Sequence, residues 1–205
     1  MIQKYKENLN KPGSLNFDFL TYMLQELLPE KRFNHVQGVR SVALDLAGIF
    51  MLTQQQTYQL ELAVLFHDFA KGMSQEELYS FALENNIILP QESHLAPAVY
   101  HAIVAAWIME YCFHVADRSV INAVYFHTTG SIHLDLIGQL LYLADYLDDS
   151  RGFATAHIFQ LLPQELDKAL LTVVQEKIIL VLKKKHYVHS DSINYYHFLL
   201  KKCSN

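Results

Sequence analysis

Six residues carry the chemistry this sequence offers: His35, His67, Asp68, His101, His127 and Asp145. Their surroundings single them out. His67 and Asp68 stand side by side in LELAVLFHDFAK (60–71). On a helical wheel, Leu62, Leu65, Phe66 and Phe69 cover one side of that run, and Leu60, Ala63, Val64 and Ala70 cover much of the other. Asp145 interrupts LLYLADYL (140–147), His101 lies in AVYHAIVAAWIM (98–109), His127 ends the apolar part of INAVYFHTTG (121–130), and His35 opens the amphipathic stretch FNHVQGV (33–39). A helix that is apolar all round is buried, and a buried carboxylate is very costly unless it is paired or bound to a metal. No Arg or Lys lies inside these runs to pair with either Asp. Two buried carboxylates, several imidazoles and no internal cation form the donor set of a metal site. Core histidines hydrogen-bonded to core aspartates is the competing account. It suits any one His alone, but for the whole set both carboxylates need separate rescue.

These residues must be positioned by helices. Gly 7 and Pro 5 in 205 residues leave few turns, hence long elements. Helical spacing of apolar residues predicts helices over 17–28, 35–50, 57–71 and 134–148, then 163–185 and 191–202. Ser74 and Glu77 form a capping box for a helix to about Asn85. Ser93 and Pro97 open another to about Tyr111, and Asp117 caps one to about His127, with Gly130 just beyond. The stretch NNIIL (85–89) alone resembles a strand. The reading is an all-α single domain over 1–205, a helical bundle of about eight to ten helices.

Composition excludes several classes. Apolar residues make up 51% and charged residues 18%, which no disordered chain matches. The net charge is -5 and no basic stripe exists, so a nucleic-acid polymer is not an expected partner. The cluster Lys183 to Lys185 closes a predicted helix, where it suits the dipole. No run approaches the ~18 apolar residues of a membrane span, and MIQKYKENLN lacks a secretory h-region. Cys112 and Cys203 form no disulfide framework, in keeping with a reducing compartment. A cytoplasmic location is expected.

The order His35, His67-Asp68, Asp145 resembles the H…HD…D pattern of HD-domain metal-dependent phosphohydrolases. The surrounding text, FNHVQGV (33–39), LAVLFHDFAK (62–71), His101, FHTTG (126–130) and LADYLDDSR (143–151), is similar to the YqeK-type subgroup, the symmetrical bis(5'-nucleosyl)-tetraphosphatases. The likeness covers about 33–151, the catalytic core. Residues 152–205 match only a C-terminal helical extension without motifs. The resemblance implies an all-α HD fold and two divalent metal ions, commonly iron, with Mn, Co or Zn equally suited to such donors. It implies that His35, His67, Asp68 and Asp145 hold one metal and that Asp68 bridges to a second held by His101 and His127.

The implied reaction is symmetrical hydrolysis of diadenosine tetraphosphate, a small-molecule dinucleotide, to two ADP, with Asp68 and Lys71 as catalytic residues. Lys71, Thr128, Thr129, Gly130 and Arg151 are the expected substrate-binding residues. Each has a plainer reading: a helix C-terminal cap for Lys71, a surface ion pair with Asp148 for Arg151, and a helix stop for Thr128 to Gly130. The family commonly has an acidic-Pro pair before the last Arg; here Asp148, Asp149 and Ser150 precede Arg151. His94, His114, His157, His186, His189 and His197 read as surface residues; His133 lies six residues past His127, and His94 precedes the helix of His101. A mononuclear nucleotidase on nucleoside monophosphates and a non-catalytic nucleotide-binding protein with a structural metal remain alternatives, as does a homodimer.

Overall fold

The computed structural model describes residues 15–148 and 155–204. Among them the chain forms ten α-helices, two short 3₁₀ turns and no strand. The helices are α1 (Phe17–Leu27), α2 (Glu30–Ile49), α3 (Gln54–His67), α4 (Gln75–Glu84), α5 (Tyr100–Tyr111), α6 (Arg118–Phe126), α7 (Leu136–Leu147), the single turn α8 (Ala156–Phe159), α9 (Leu166–Lys183) and α10 (Ser190–Cys203). NNIIL is not a strand; it follows α4 as irregular chain.

Side chains that satisfy free backbone N–H groups set where the helices begin. Ser74 and Glu77 cap each other at the start of α4, and Asp117 accepts from the N–H groups of Ser119 and Val120 ahead of α6. A second capping box, Thr53 with Gln56, starts α3 at Gln54 rather than at 57. The second helix starts at Glu30, straight after Pro29, which places His35 in its second turn.

The third helix is the axis of the bundle: α1, α2, α5, α6 and α7 all pack against it. Leu60 and residues 62–67 are all buried, so its C-terminal turns have almost no solvent face. It also ends earlier than its apolar run. Asp68 is the C-cap (φ −106°, ψ 15°), and the chain turns away with the Lys71 N–H bonded to the Asp68 carbonyl. Gly72 permits this turn, because a Cβ there would lie 2.6 Å from the Leu27 carbonyl oxygen.

The C-terminal helices are not a detached tail. Helices α9 and α10 pair with each other, and α9 packs on α7. Ser192 Oγ donates to the Thr129 carbonyl (2.9 Å). Gly130 adopts φ +72°, and a Cβ on it would meet the Tyr195 ring at 2.3 Å. Glu92 accepts from Tyr187 Oη (2.9 Å), the Ser190 N–H (2.7 Å) and the Ser190 hydroxyl. Burial pushes the Glu92 carboxyl up, but the bonds from Ser190 and Tyr187 outweigh it and hold it below the usual range.

Two predictions test this docking. Gly130→Ala combines a left-handed backbone with a clash against Tyr195, and should cost about 1–3 kcal/mol, read as a lower urea midpoint at unchanged slope. Because the folded Glu92 value is depressed, its contribution is present above the unfolded carboxyl range and is lost as pH falls through the folded value. The melting temperature of Glu92→Gln should therefore trail the parent at neutral pH, and the gap should close on acidification.

Candidate metal centre

The six residues converge, and each comes from a helix or helix end in contact with α3 or on α3 itself: His35 from α2, His67 from the last position of α3, Asp68 from its cap, His101 from the first turn of α5, His127 from the cap of α6 and Asp145 from α7. All six are buried, none more than 5% exposed. They form two triads. The ligating atoms of His35, His67 and Asp145 lie within 4.8 Å of one another, and so do those of Asp68, His101 and His127. Asp68 sits between them. Its Oδ1 is 3.3 Å from His101 Nε2 and 3.9 Å from His127 Nε2, while its Oδ2 is 3.8 Å from both His35 Nε2 and His67 Nε2.

Hydrogen bonds decide which ring nitrogen is bare. His67 Nδ1 is 2.6 Å from the Val64 carbonyl, His101 Nδ1 is 2.8 Å from the Ala98 carbonyl, and His127 Nδ1 is 2.7 Å from the Val124 carbonyl. A carbonyl only accepts, so each Nδ1 carries the proton. Burial lowers the pKa of His67, His101 and His127, well below the ordinary value for His127, and so keeps these rings neutral. Their Nε2 atoms are then lone pairs aimed inward. His67 Nε2 is fully buried and has no hydrogen-bond partner. The Nε2 atoms of His101 and His127 face each other at 3.2 Å, and Thr128 Oγ1 lies 3.2 Å from the latter; a cation shared by the two rings would take up both lone pairs. A neutral imidazole whose far N–H is held by a carbonyl or carboxylate is the usual form of a metal-ligating histidine, so this donor set fits divalent metal.

Two cations from outside the apolar runs reach the carboxylates, which the sequence reading leaves without a cationic partner. Arg32 Nη1 bonds Asp68 Oδ2 at 2.9 Å, and Lys177 Nζ lies 3.3 Å from Asp145 Oδ2. Neither residue is inside the apolar runs: Arg32 reaches in from the first turn of α2, and Lys177 comes from α9. The case for a metal thus moves from the carboxylates to the inward-facing imidazole nitrogens, above all His67 Nε2, which has no hydrogen-bond partner. The Asp68 carboxyl is held well below the usual range: burial pushes it up, and that is outweighed by groups among which is the Lys71 ammonium.

A pocket of about 180 Å³ opens onto the centre, lined by Arg32, Asp68, Lys71, His101, His127, Thr128, Asp145 and Lys177. Lys71 Nζ is 3.3 Å from His101 Nε2, the ring nitrogen able to accept from it. Thr128 and Lys177 also line an adjoining cleft of about 390 Å³, walled by Pro97, Ala98, Ile178 and Val181. Thr129 borders that cleft as well. Gly130 borders neither cavity; its N–H bonds the Phe126 carbonyl (2.7 Å), so it is not offered to a ligand. Arg151 lies outside the described residues. His133 is exposed, and His94 pairs with Tyr100 Oη rather than with the centre.

Asp148 is, with Arg32 and Lys177, a residue at the centre that the motif reading missed. It is buried, and its Oδ2 is 2.7 Å from His35 Nδ1, so it leaves His35 Nε2 facing Asp145 at 3.3 Å. Gly38 makes room for it, since a Cβ there would stand 2.0 Å from Asp148 Oδ1. Gly38→Ala is therefore a selective test. Ala in mid-helix ordinarily adds up to about 1 kcal/mol over Gly, yet here it should displace Asp148 and lower the metal bound per chain by elemental analysis, with helical circular dichroism unchanged.

No family model matches the chain. It is 30% identical over 176 residues to a symmetrical bis(5'-nucleosyl)-tetraphosphatase of Halalkalibacterium halodurans, covering 84% of this chain and 91% of that protein. Against the protein of the same name from Bacillus subtilis it is 27% identical over 178 residues, 86% of this chain and 94% of the other. A crystal structure from Clostridium acetobutylicum, described as a predicted HD superfamily hydrolase involved in NAD metabolism, superposes with a TM-score of 0.83 at 28% identity, covering 93% of this chain and all of that one.

Proposed function

This chain belongs to the symmetrical bis(5'-nucleosyl)-tetraphosphatase family of HD hydrolases, and from that premise we propose that it hydrolyses diadenosine tetraphosphate and related dinucleoside polyphosphates to two nucleoside diphosphates at a dinuclear centre. His35, His67 and Asp145 would hold one metal, His101 and His127 the other, and Asp68 would bridge. Iron is the metal common in this family; Mn, Co and Zn suit the same imidazole and carboxylate donors. Bound there, divalent ions lower the pKa of water towards neutrality and offset charge on phosphoryl oxygens.

The remaining work falls to the chain's own side chains. Val64, Ala98 and Val124 fix the ring tautomers, and Asp148 does the same for His35. Arg32 and Lys71 stand at the pocket and supply cationic donors for the polyphosphate; Arg32 can also offer a planar fork. Thr128 adds a hydroxyl at the passage between pocket and cleft. The adjoining apolar cleft has the size and walls of a small-ligand site. The observation that carries the reading is the set of inward Nε2 lone pairs around Asp68, at the floor of a pocket rimmed by cations.

Purified protein supplied with Fe, Mn or Co should convert diadenosine tetraphosphate to ADP alone on chromatography. AMP with ATP, or no turnover, overturns the symmetrical reading. Asp68→Asn should lower turnover by at least about 10–100-fold and reduce bound metal below the parent's stoichiometry. His101→Ala or His127→Ala should do the same, whereas a single-metal nucleotidase would keep its metal and most of its rate.

A further inference from the structure

We propose that Lys177, in the C-terminal helix α9, is a positioning residue that locks the two halves of the candidate metal centre together, so that the C-terminal hairpin is part of the catalytic apparatus; this rests on the reading above. Lys177 Nζ donates to the His127 carbonyl at 3.1 Å and to Asp145 Oδ2 at 3.3 Å. His127 belongs to one triad and Asp145 to the other. The same ammonium lies 3.9 Å from the centroid of the Tyr142 ring, a cation–π contact with a fully buried side chain one turn before Asp145. One cation thus touches the backbone of one triad, the carboxylate of the other, and the helix that carries that carboxylate.

Its engagement argues against a role as a phosphate ligand. An ammonium has three N–H groups. A carbonyl, a carboxylate and a ring face already take those directions, although the side chain borders both cavities. What Lys177 can do is hold Asp145 Oδ2, leaving Oδ1 turned to His35 at 3.3 Å and His67 at 3.9 Å. Held Oδ2 and presented Oδ1 give a carboxylate one way to ligate. Outer partners of this kind typically tune metal affinity or activity by about 10–100-fold.

The test uses the full chain carrying Lys177→Met, Lys177→Gln and Lys177→Arg. Resistance of bound metal to a chelator and kinetics on diadenosine tetraphosphate at saturating Mn are both measured. Met and Gln should lose metal to the chelator at least about tenfold more readily and lower kcat by about tenfold or more, with KM within about threefold of the parent. Arg, which keeps charge and donors, should recover part of both. If Met fails to fold by circular dichroism, Gln carries the test, and failure of both to fold assigns Lys177 a purely structural role and overturns the proposal. A raised KM with unchanged kcat makes Lys177 a phosphate ligand and also overturns it, as do parent-like chelator resistance and kcat. Should the parent not cleave the dinucleotide, the substrate reading fails, while chelator resistance still decides the role of Lys177.

Discussion

Three hydrogen bonds of one kind set the character of this centre. His67, His101 and His127 each donate Nδ1–H to the carbonyl three residues earlier in the chain. Two of these carbonyls, of Val64 and Val124, lie in the last turns of α3 and α6, where helix carbonyls lack partners further along. A helix end therefore supplies the acceptor, and the imidazole supplies the missing donor. The consequence is chemical: each ring is fixed in the tautomer that leaves Nε2 bare, and burial keeps it uncharged. Rotating any of these rings by half a turn would put the Cε1–H carbon where the Nε2 lone pair is needed.

That constraint also explains why α3 stops where it does. An uninterrupted helix through residue 71 would have kept Asp68 about 100° around the helix from His67 and consumed the Val64 carbonyl in a bond to the Asp68 N–H. Instead the Asp68 N–H bonds the Phe66 carbonyl, Val64 is left for His67, and the Asp68 carboxylate swings between the triads. Apolar periodicity does not register such an exit, because Phe69 and Ala70 are still buried after it. They pack as the chain turns, so the run reads as helix to its end.

The all-helical class and the six polar residues in apolar surroundings were legible because both are local properties of the chain. Their partners were not. Arg32 meets Asp68 across 36 residues, Lys177 meets Asp145 across 32, and His35 meets Asp148 across 113. Nothing in a helical wheel connects such positions. Lys177 sits in an ordinary amphipathic helix, and Asp148 stands in a run of acids that reads as a solvated helix end. Only the space left by Gly38 and the closeness of α2 to α7 turn Asp148 inward. The cap of α3 was legible in principle, since Thr53 and Gln56 carry a capping-box signature.

The charge balance bears on the class of ligand. Among the described residues around the centre, Asp68, Asp145 and Asp148 are matched by Arg32, Lys71 and Lys177, so with neutral imidazoles these charges cancel. Such a site does not attract divalent ions through net negative charge, as an acidic cluster does. Affinity has to come from lone-pair donation, which favours transition metals over Mg or Ca. Two divalent ions would then leave a surplus of about four positive charges among buried side chains, where such charge is costly. A polyphosphate chain brings negative charge of comparable size, whereas a monophosphate brings only about half of it. The balance among these side chains would thus suit the long phosphate chain of the proposed substrate, and the cationic rim of Arg32 and Lys71 would extend that preference towards solvent.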